Sequence, residues 1–121
     1  MIDHVGIDVS DYSCVKTFYT SALAPLGYTL LVEYGETAGF GADGKADFWI
    51  SQNRATSPAI HIAFQCERRE QVDGFHAAAL KAGGKDNGAP GIREDYSPTY
   101  YAAFVLDPDG HNIEAVCHKP V

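Results

Sequence analysis

Hydrophobic and polar positions along this chain of 121 residues follow two periods, one typical of strands and one typical of helices. Residues 2–9 alternate as in a strand, and apolar positions from Val15 to Leu26 then recur at intervals of three and four, as on one helix face. Three strand-like runs follow, separated by glycine-containing turns, at residues 28–34, 37–42 and 46–51. The first half therefore predicts one strand, one helix and three further strands.

The second half repeats this pattern after a polar turn at residues 53–58. A strand is predicted at residues 60–66, a helix ending at Gly83 and Gly84, and strands at residues 100–106 and 112–116. Between the helix and these strands, residues 83–99 are rich in glycine, proline and charge, which predicts a long loop around at most one short strand. At an offset of 57 residues the halves share His4 with His61, Val15 with Val72, Phe18 with Phe75, Ala22 with Ala79, Leu23 with Leu80 and Gly27 with Gly84. Matches over equivalent elements at one offset indicate an internal duplication.

Composition narrows the classes of function. A chain of this length with 45% hydrophobic residues suits one domain with its own core. The net charge of -7 and the absence of a lysine and arginine cluster argue against nucleic-acid binding. No run approaches 18 apolar residues and the first residues lack the order of a secretion signal, so we expect a cytoplasmic protein without a membrane segment. Three cysteines without a CxxC spacing predict neither a disulfide framework nor a thiolate zinc site.

Three side chains are candidates for metal chemistry. Glu114 lies in the middle of the last predicted strand, after the turn at residues 107–110, and a carboxylate there must face water, find a positive partner or hold a metal. His4 and His61 occupy matching points on the first strand of each half, on the side away from the helices. If the two faces meet, two imidazoles and a carboxylate converge as they do around iron, manganese, nickel, cobalt or zinc. Solvent-facing and hydrogen-bonded roles are the alternative.

A fourth ligand is not expected. At an offset of 66 residues the Asp43-Gly44 turn falls on Asp109-Gly110, which places Phe48 where the second half has Glu114. A shift of one residue would place Asp47 or Trp49 there instead, and of these only Asp47 could bind a metal.

Four segments resemble the glyoxalase/bleomycin-resistance/dioxygenase superfamily, also called vicinal oxygen chelate proteins. They are HVGIDVSD, FYTSALAPLGY, HIAF and YYAAFVLDPDGHNIEAV. The resemblance implies an α+β fold in which one domain, residues 1–121, contains two βαβββ modules at residues 1–52 and 58–121. It also implies that the sheets form a shared cup, with one divalent metal ion (Fe, Ni, Mn, Co or Zn) at its base, and that the protein is a homodimer. His4, His61 and Glu114 match three of the family's metal ligands, with Glu114 as the catalytic carboxylate.

The resemblance favours an enzyme whose small-molecule substrate chelates the metal through vicinal oxygens. Lyases and isomerases of the family use a fourth carboxylate or amide ligand, which Phe48 would replace, whereas two histidines and one carboxylate suit an extradiol dioxygenase. Tyr96, Tyr100 or Tyr101 would then supply an acid or base. The alternatives are a metal-free, drug-binding protein of the bleomycin-resistance kind and a domain whose three ligands are a relic.

The predicted substrate site is apolar and aromatic. Its residues are expected to be Phe48, Ile50, Tyr96, Tyr100 and Tyr101. The site would be completed either within one chain or across a homodimer. In a dimer, His4 would come from one chain, and His61 and Glu114 from the other.

Overall fold

The computed structural model describes residues 1–53 and 58–121, so most of the turn predicted at residues 53–58 lies outside the described residues. Its two helices and eight strands follow the order expected from the sequence. In the first half these are β1 (Val5–Val9), α1 (Tyr12–Ala22), a short 3-10 turn (Ala24–Leu26), β2 (Thr29–Tyr34), β3 (Thr37–Ala42) and β4 (Lys45–Gln52). In the second half they are β5 (His61–Gln65), α2 (Arg69–Lys81), β6 (Lys85–Ile92), β7 (Tyr101–Leu106) and β8 (Asn112–Cys117).

Each half forms its own four-stranded sheet. The strand orders are β1-β4-β3-β2 and β5-β8-β7-β6, so the two sheets have the same connectivity. In both, the first strand pairs in parallel with the last one, and the remaining pairs are antiparallel. A helix connects the first strand to the rest, as a parallel pairing requires. Two βαβββ modules and the α+β class are thereby confirmed.

Helix α1 begins and ends where local chemistry favours it. The side chain of Asp11 accepts a hydrogen bond from the Cys14 amide at 3.2 Å and caps the first turn. The 3-10 turn that follows the helix ends at Gly27, which adopts a φ of 87°, a left-handed conformation that suits glycine. Between these ends, Val15 and Phe18 are completely buried, as the helical period predicts.

The two modules share one hydrophobic core. Helices α1 and α2 pack against each other, and α2 also packs on β7 and β8. The Phe48 and Phe64 rings, one from each sheet, meet edge to face with centroids 5.3 Å apart. At the same junction, the buried Tyr19 hydroxyl donates to Asp107 Oδ2 at 2.5 Å. These contacts place the helices and the inner sheet faces around the core, and leave the other face of each sheet open.

Two features differ from the expectation. Residues 85–92 form a full edge strand, β6, rather than a loop around a short strand; it pairs with β7 through two register shifts. In β4, the pairing with β3 passes from Phe48 to Ala46 and leaves Asp47 as a bulged residue. The bulge changes which side chains of β4 face the open side.

No helix within the described ranges is long and apolar enough to cross a membrane.

Candidate metal centre

The open face of the second sheet carries the candidate carboxylate. In the parallel pair of β5 and β8, His61 lies opposite Asn112 and Ala63 lies opposite Glu114. Paired residues point to the same side, and residues two apart along a strand share that side, so His61 and Glu114 are diagonal neighbours on one face. The intervening Ile62 and the following Phe64 turn to the helices. The strand period of two thus brings imidazole and carboxylate together.

His61 and Glu114 are in direct contact. Nε2 of His61 lies 2.8 Å from Oε1 of Glu114 and donates to it. The Glu114 side chain is 1% exposed, whereas the His61 side chain is 52% exposed. A buried carboxylate is stable only when its oxygens have donors, and here each has one. Only the imidazole of this pair is therefore accessible from the open face.

Tyr100 supplies the second donor to the carboxylate. Its hydroxyl donates to Oε2 of Glu114. Burial raises the pKa of Tyr100 to about 12, and the hydrogen bond to Glu114 and the negative charge of this residue add to the rise. Its ring also packs edge to face on Tyr96, with centroids 4.9 Å apart, and on His118 at 5.2 Å. Tyr100 therefore stays protonated near neutral pH and fixes one oxygen of the carboxylate.

His4 lies apart from this pair. Its Nδ1 is 2.9 Å from Oδ2 of Asp3, and its side chain is 60% exposed. Lys45 binds the other oxygen of Asp3 at 2.5 Å. Within the described part of the chain, no three histidine, cysteine, aspartate or glutamate side chains are grouped closely enough to hold a metal ion. One chain therefore brings together two of the three predicted ligands, and not His4.

Trp49, rather than Phe48, takes the position that matches Glu114. His4 and His61 are equivalent, so Gly6 and Ala63 are too, and Gly6 pairs with Trp49 as Ala63 pairs with Glu114. The bulge at Asp47 accounts for the difference from the expectation, because it adds one residue between the turn and the open-face position of β4. The first sheet thus presents an indole where the second presents a carboxylate.

Phe48 and Ile50 were expected to line the substrate site on the open face, and they do not lie there. They point to the core and are 2% and 0% exposed, because the bulge reverses the alternation counted from the turn. Tyr101 also faces the helices, where its hydroxyl donates to Asp73 at 2.6 Å. Tyr100 and the exposed Tyr96 remain near the carboxylate.

Sequence reasoning did not include Phe104 in the site. It pairs with Glu114 across β7 and β8, and its ring centroid lies 6.3 Å from that of His61. The Arg93 guanidinium stacks over the other part of this ring, with 5.3 Å to the centroid. The alternation of β7 could have indicated it, since Phe104 and Ala102 share a face.

The arrangement suits a divalent metal. Imidazole nitrogen and carboxylate oxygen are ligands that Fe, Mn, Ni, Co and Zn share, so His61 and Glu114 are residues that would hold such an ion. Tyr100 resembles the hydrogen-bonding partners that orient ligating carboxylates in metalloproteins. The described residues thus bring together two of the three predicted ligands.

Solved structures with the same fold are numerous. A glyoxalase/bleomycin resistance protein from Albidiferax ferrireducens T118 superposes with a TM-score of 0.82 at 30% identity, covering 95% of this chain and 97% of that one. A glyoxalase/bleomycin resistance protein/dioxygenase family enzyme from Burkholderia phytofirmans PsJN gives 0.76 at 18% identity, with 98% of each chain covered. A glyoxalase-related enzyme from Fulvimarina pelagi gives 0.73 at 16% identity, covering 97% and 87%. The latter two share the fold alone.

No curated protein matches the chain. The sequence model of the Glyoxalase/Bleomycin resistance protein/Dioxygenase superfamily matches residues 1–115, and the chain therefore belongs to that superfamily.

Proposed function

We propose that the protein is a divalent-metal-dependent enzyme of the lyase, isomerase or dioxygenase type, acting on a small molecule that chelates the metal through vicinal oxygens. The contact between His61 and the buried Glu114 carries this proposal. It supports the proposal because an exposed imidazole and a carboxylate, both of suitable ligand chemistry, are in contact, and a tyrosine holds the carboxylate.

The third ligand is His4 of a second copy of the chain. His4 stands in the first module where His61 stands in the second, and it is exposed on the open face. The open face of each sheet is uncovered in the single chain, while the opposite faces are already used by the shared core. A homodimer in which the first sheet of one copy faces the second sheet of the other would complete two equivalent sites.

The residues of the site divide the chemistry between them. When bound, the metal supplies a Lewis acid that stabilises negative charge on a substrate oxygen. Glu114 is held through Oε2 by Tyr100, so Oε1 is the oxygen that faces the ligand position. Trp49 provides no base where a second carboxylate would stand, which disfavours an isomerisation that needs two. A reaction in which the metal has three protein ligands and keeps open positions for the substrate, as in an extradiol dioxygenase, is favoured.

Metal content of purified protein tests the proposal. Parent protein is expected to retain or take up iron, nickel, manganese, cobalt or zinc, and His4→Ala, His61→Ala and Glu114→Ala each to weaken metal binding by roughly tenfold or more. His76→Ala, which removes a histidine that contacts Asp86 rather than the ligand set, is the matched control and should bind metal as the parent does.

Mixed dimers test the sharing of the site. In a dimer of one His4→Ala chain and one His61→Ala chain, the unaltered His4 of the second meets the unaltered His61 and Glu114 of the first. One strong site per mixed dimer is therefore expected, although neither variant has one alone. If mixing restores nothing while the parent binds metal, the site is not shared. Parent protein that takes up no metal would refute the enzyme and favour a metal-free small-molecule-binding protein.

A further inference from the structure

A groove of about 560 Å³ opens on the outer face of the first sheet. Its lining includes the polar residues Asp3 and His4 and the aromatic residues Tyr34 and Trp49. Small residues, including Gly6 and Ala46, also line it. The groove thus combines a proposed metal ligand with aromatic side chains.

The six-membered edge of the Trp49 indole packs against strand β3 at Gly39, which has no side chain. A Cβ at Gly39 would be 2.8 Å from Cζ3 and 2.9 Å from Cη2 of the indole, closer than carbon atoms can approach. The pairing of Gly39 with Trp49 sets this contact. This edge of the ring therefore rests on the backbone of β3, and the Trp49 side chain also lines the groove.

The strand pairing places this ring next to the proposed metal position. Trp49 occupies in β4 the position that Glu114 occupies in β8, and it lines the same groove as His4. A molecule bound through its oxygens near His4 would extend over the indole. A flat indole favours a flat partner, because offset stacking adds to the burial of apolar surface.

We propose that Trp49, supported by Gly39, binds the planar aromatic part of the ligand and selects aromatic molecules over saturated ones. This inference rests on the proposed function for the position of the ligand's oxygens, but the groove itself lies within one chain.

The experiment uses 2-naphthol, which is planar and has one oxygen, so that its binding does not depend on metal chelation. Trp49 is the only tryptophan, so the indole Nε1–H gives a single signal in the nitrogen-proton NMR spectrum of the full chain. That signal is expected to shift on titration with 2-naphthol. Decahydro-2-naphthol, of similar shape but without an aromatic face, should bind roughly tenfold more weakly by calorimetry.

Three variants separate the ring from its support. Trp49→Ala is expected to weaken 2-naphthol binding roughly tenfold, and Trp49→Phe, which keeps a planar ring, about threefold. Gly39→Ala keeps the indole but displaces it, so it should also weaken binding. Circular dichroism and metal content of each variant show whether fold and metal site persist.

The proposal is overturned if 2-naphthol leaves the indole signal unmoved, if the saturated analogue binds as tightly, or if Trp49→Ala binds like a folded parent. Failure of the proposed metal site would be recognised separately. In that case His4→Ala would contain as much metal as the parent, whether or not 2-naphthol binds.

Discussion

At the scale of single residues, buried polar side chains hold the turn that leads into β8. Asp107 is 4% exposed, and its Oδ1 accepts the amides of Asp109 at 2.9 Å and His111 at 2.8 Å. Its Oδ2 accepts the hydroxyl of Tyr19, which belongs to the other module. The carboxylate thus fixes the start of the strand that carries Glu114.

Tyr19→Phe tests this contact. Removing the hydroxyl leaves Oδ2 of Asp107 buried without a donor, and we expect a loss of about 2 kcal/mol in the free energy of unfolding, measured with urea. Tyr12→Phe is the matched control. The Tyr12 hydroxyl donates at 2.5 Å to Glu33, which is half-exposed and also binds Lys16. The Tyr12→Phe substitution should therefore lower the free energy of unfolding by less than about 1 kcal/mol. Equal losses in both variants would contradict this explanation.

For the candidate metal ligands, the sequence indicated the residue types better than it indicated which side chains contact each other. A carboxylate in mid-strand and two histidines related by a repeat were visible in the pattern, and one of those histidines does contact Glu114. The donor Tyr100 could be named only as one of three tyrosines. Its neighbour Tyr101 faces the opposite side of the sheet, and the pattern alone did not show where β7 begins.

At the scale of elements, one bulge decides which residues of β4 lie on the open face of the sheet. Counting from the turn predicted Phe48, because a duplicated hairpin was assumed to have equal arms. Asp47 is extra, so the alternation is reversed beyond it. The periodicity of apolar residues predicts the strands and helices and which side chains share a face. A single inserted residue cannot be recognised from the pattern of a strand as short as β4, which has eight residues.

Gly41→Ala tests the bulge. A Cβ at residue 41 would lie 1.8 Å from the Lys45 carbonyl oxygen, so the backbone must move. We expect a loss of roughly 1–3 kcal/mol or more in the free energy of unfolding, as for other overpacked sites. Gly6→Ala is the control on the same sheet. Its Cβ would meet Trp49 Cβ at 3.8 Å, an ordinary contact, and little change is expected. A stable Gly41→Ala protein would mean that the bulge tolerates a side chain.

At the scale of the whole molecule, the modules are joined through the core. Periodicity showed which residues share a face, but not whether the open faces meet within one chain or between two. In a single chain the two open faces do not bring the three side chains together, since His4 stays apart from His61 and Glu114 within the described residues. The repeat predicted the fold almost completely and the ligand set only in part.

Because several tyrosines are buried, the free energy of unfolding is expected to depend on pH in the alkaline range. Burial is the largest cause that raises the pKa of Tyr12, Tyr28 and Tyr100 to about 12 each, and it also raises the pKa of Tyr19. In the unfolded chain these hydroxyls ionise near pH 10. Between pH 10 and 12 the folded state therefore binds more protons, and its stability falls as pH rises.

Urea unfolding at a series of pH values measures this effect. The midpoint is expected to begin to fall near pH 9, because burial raises the pKa of Cys66 to about 11, and to fall more steeply above pH 10, where Tyr28→Phe should show a shallower fall than the parent. A midpoint that stays constant up to pH 12 would show that the tyrosines ionise alike in both states.

The separation of His4 from Glu114 has a genetic consequence in the proposed dimer. A chain that carries both His4→Ala and Glu114→Ala can complete no site in any pairing, because it withholds one ligand from each of the two sites that it helps to form. Such a chain, produced in excess, would silence the normal copies with which it assembles. The mutation would then be dominant, whereas either single change would leave one working site in a mixed pair.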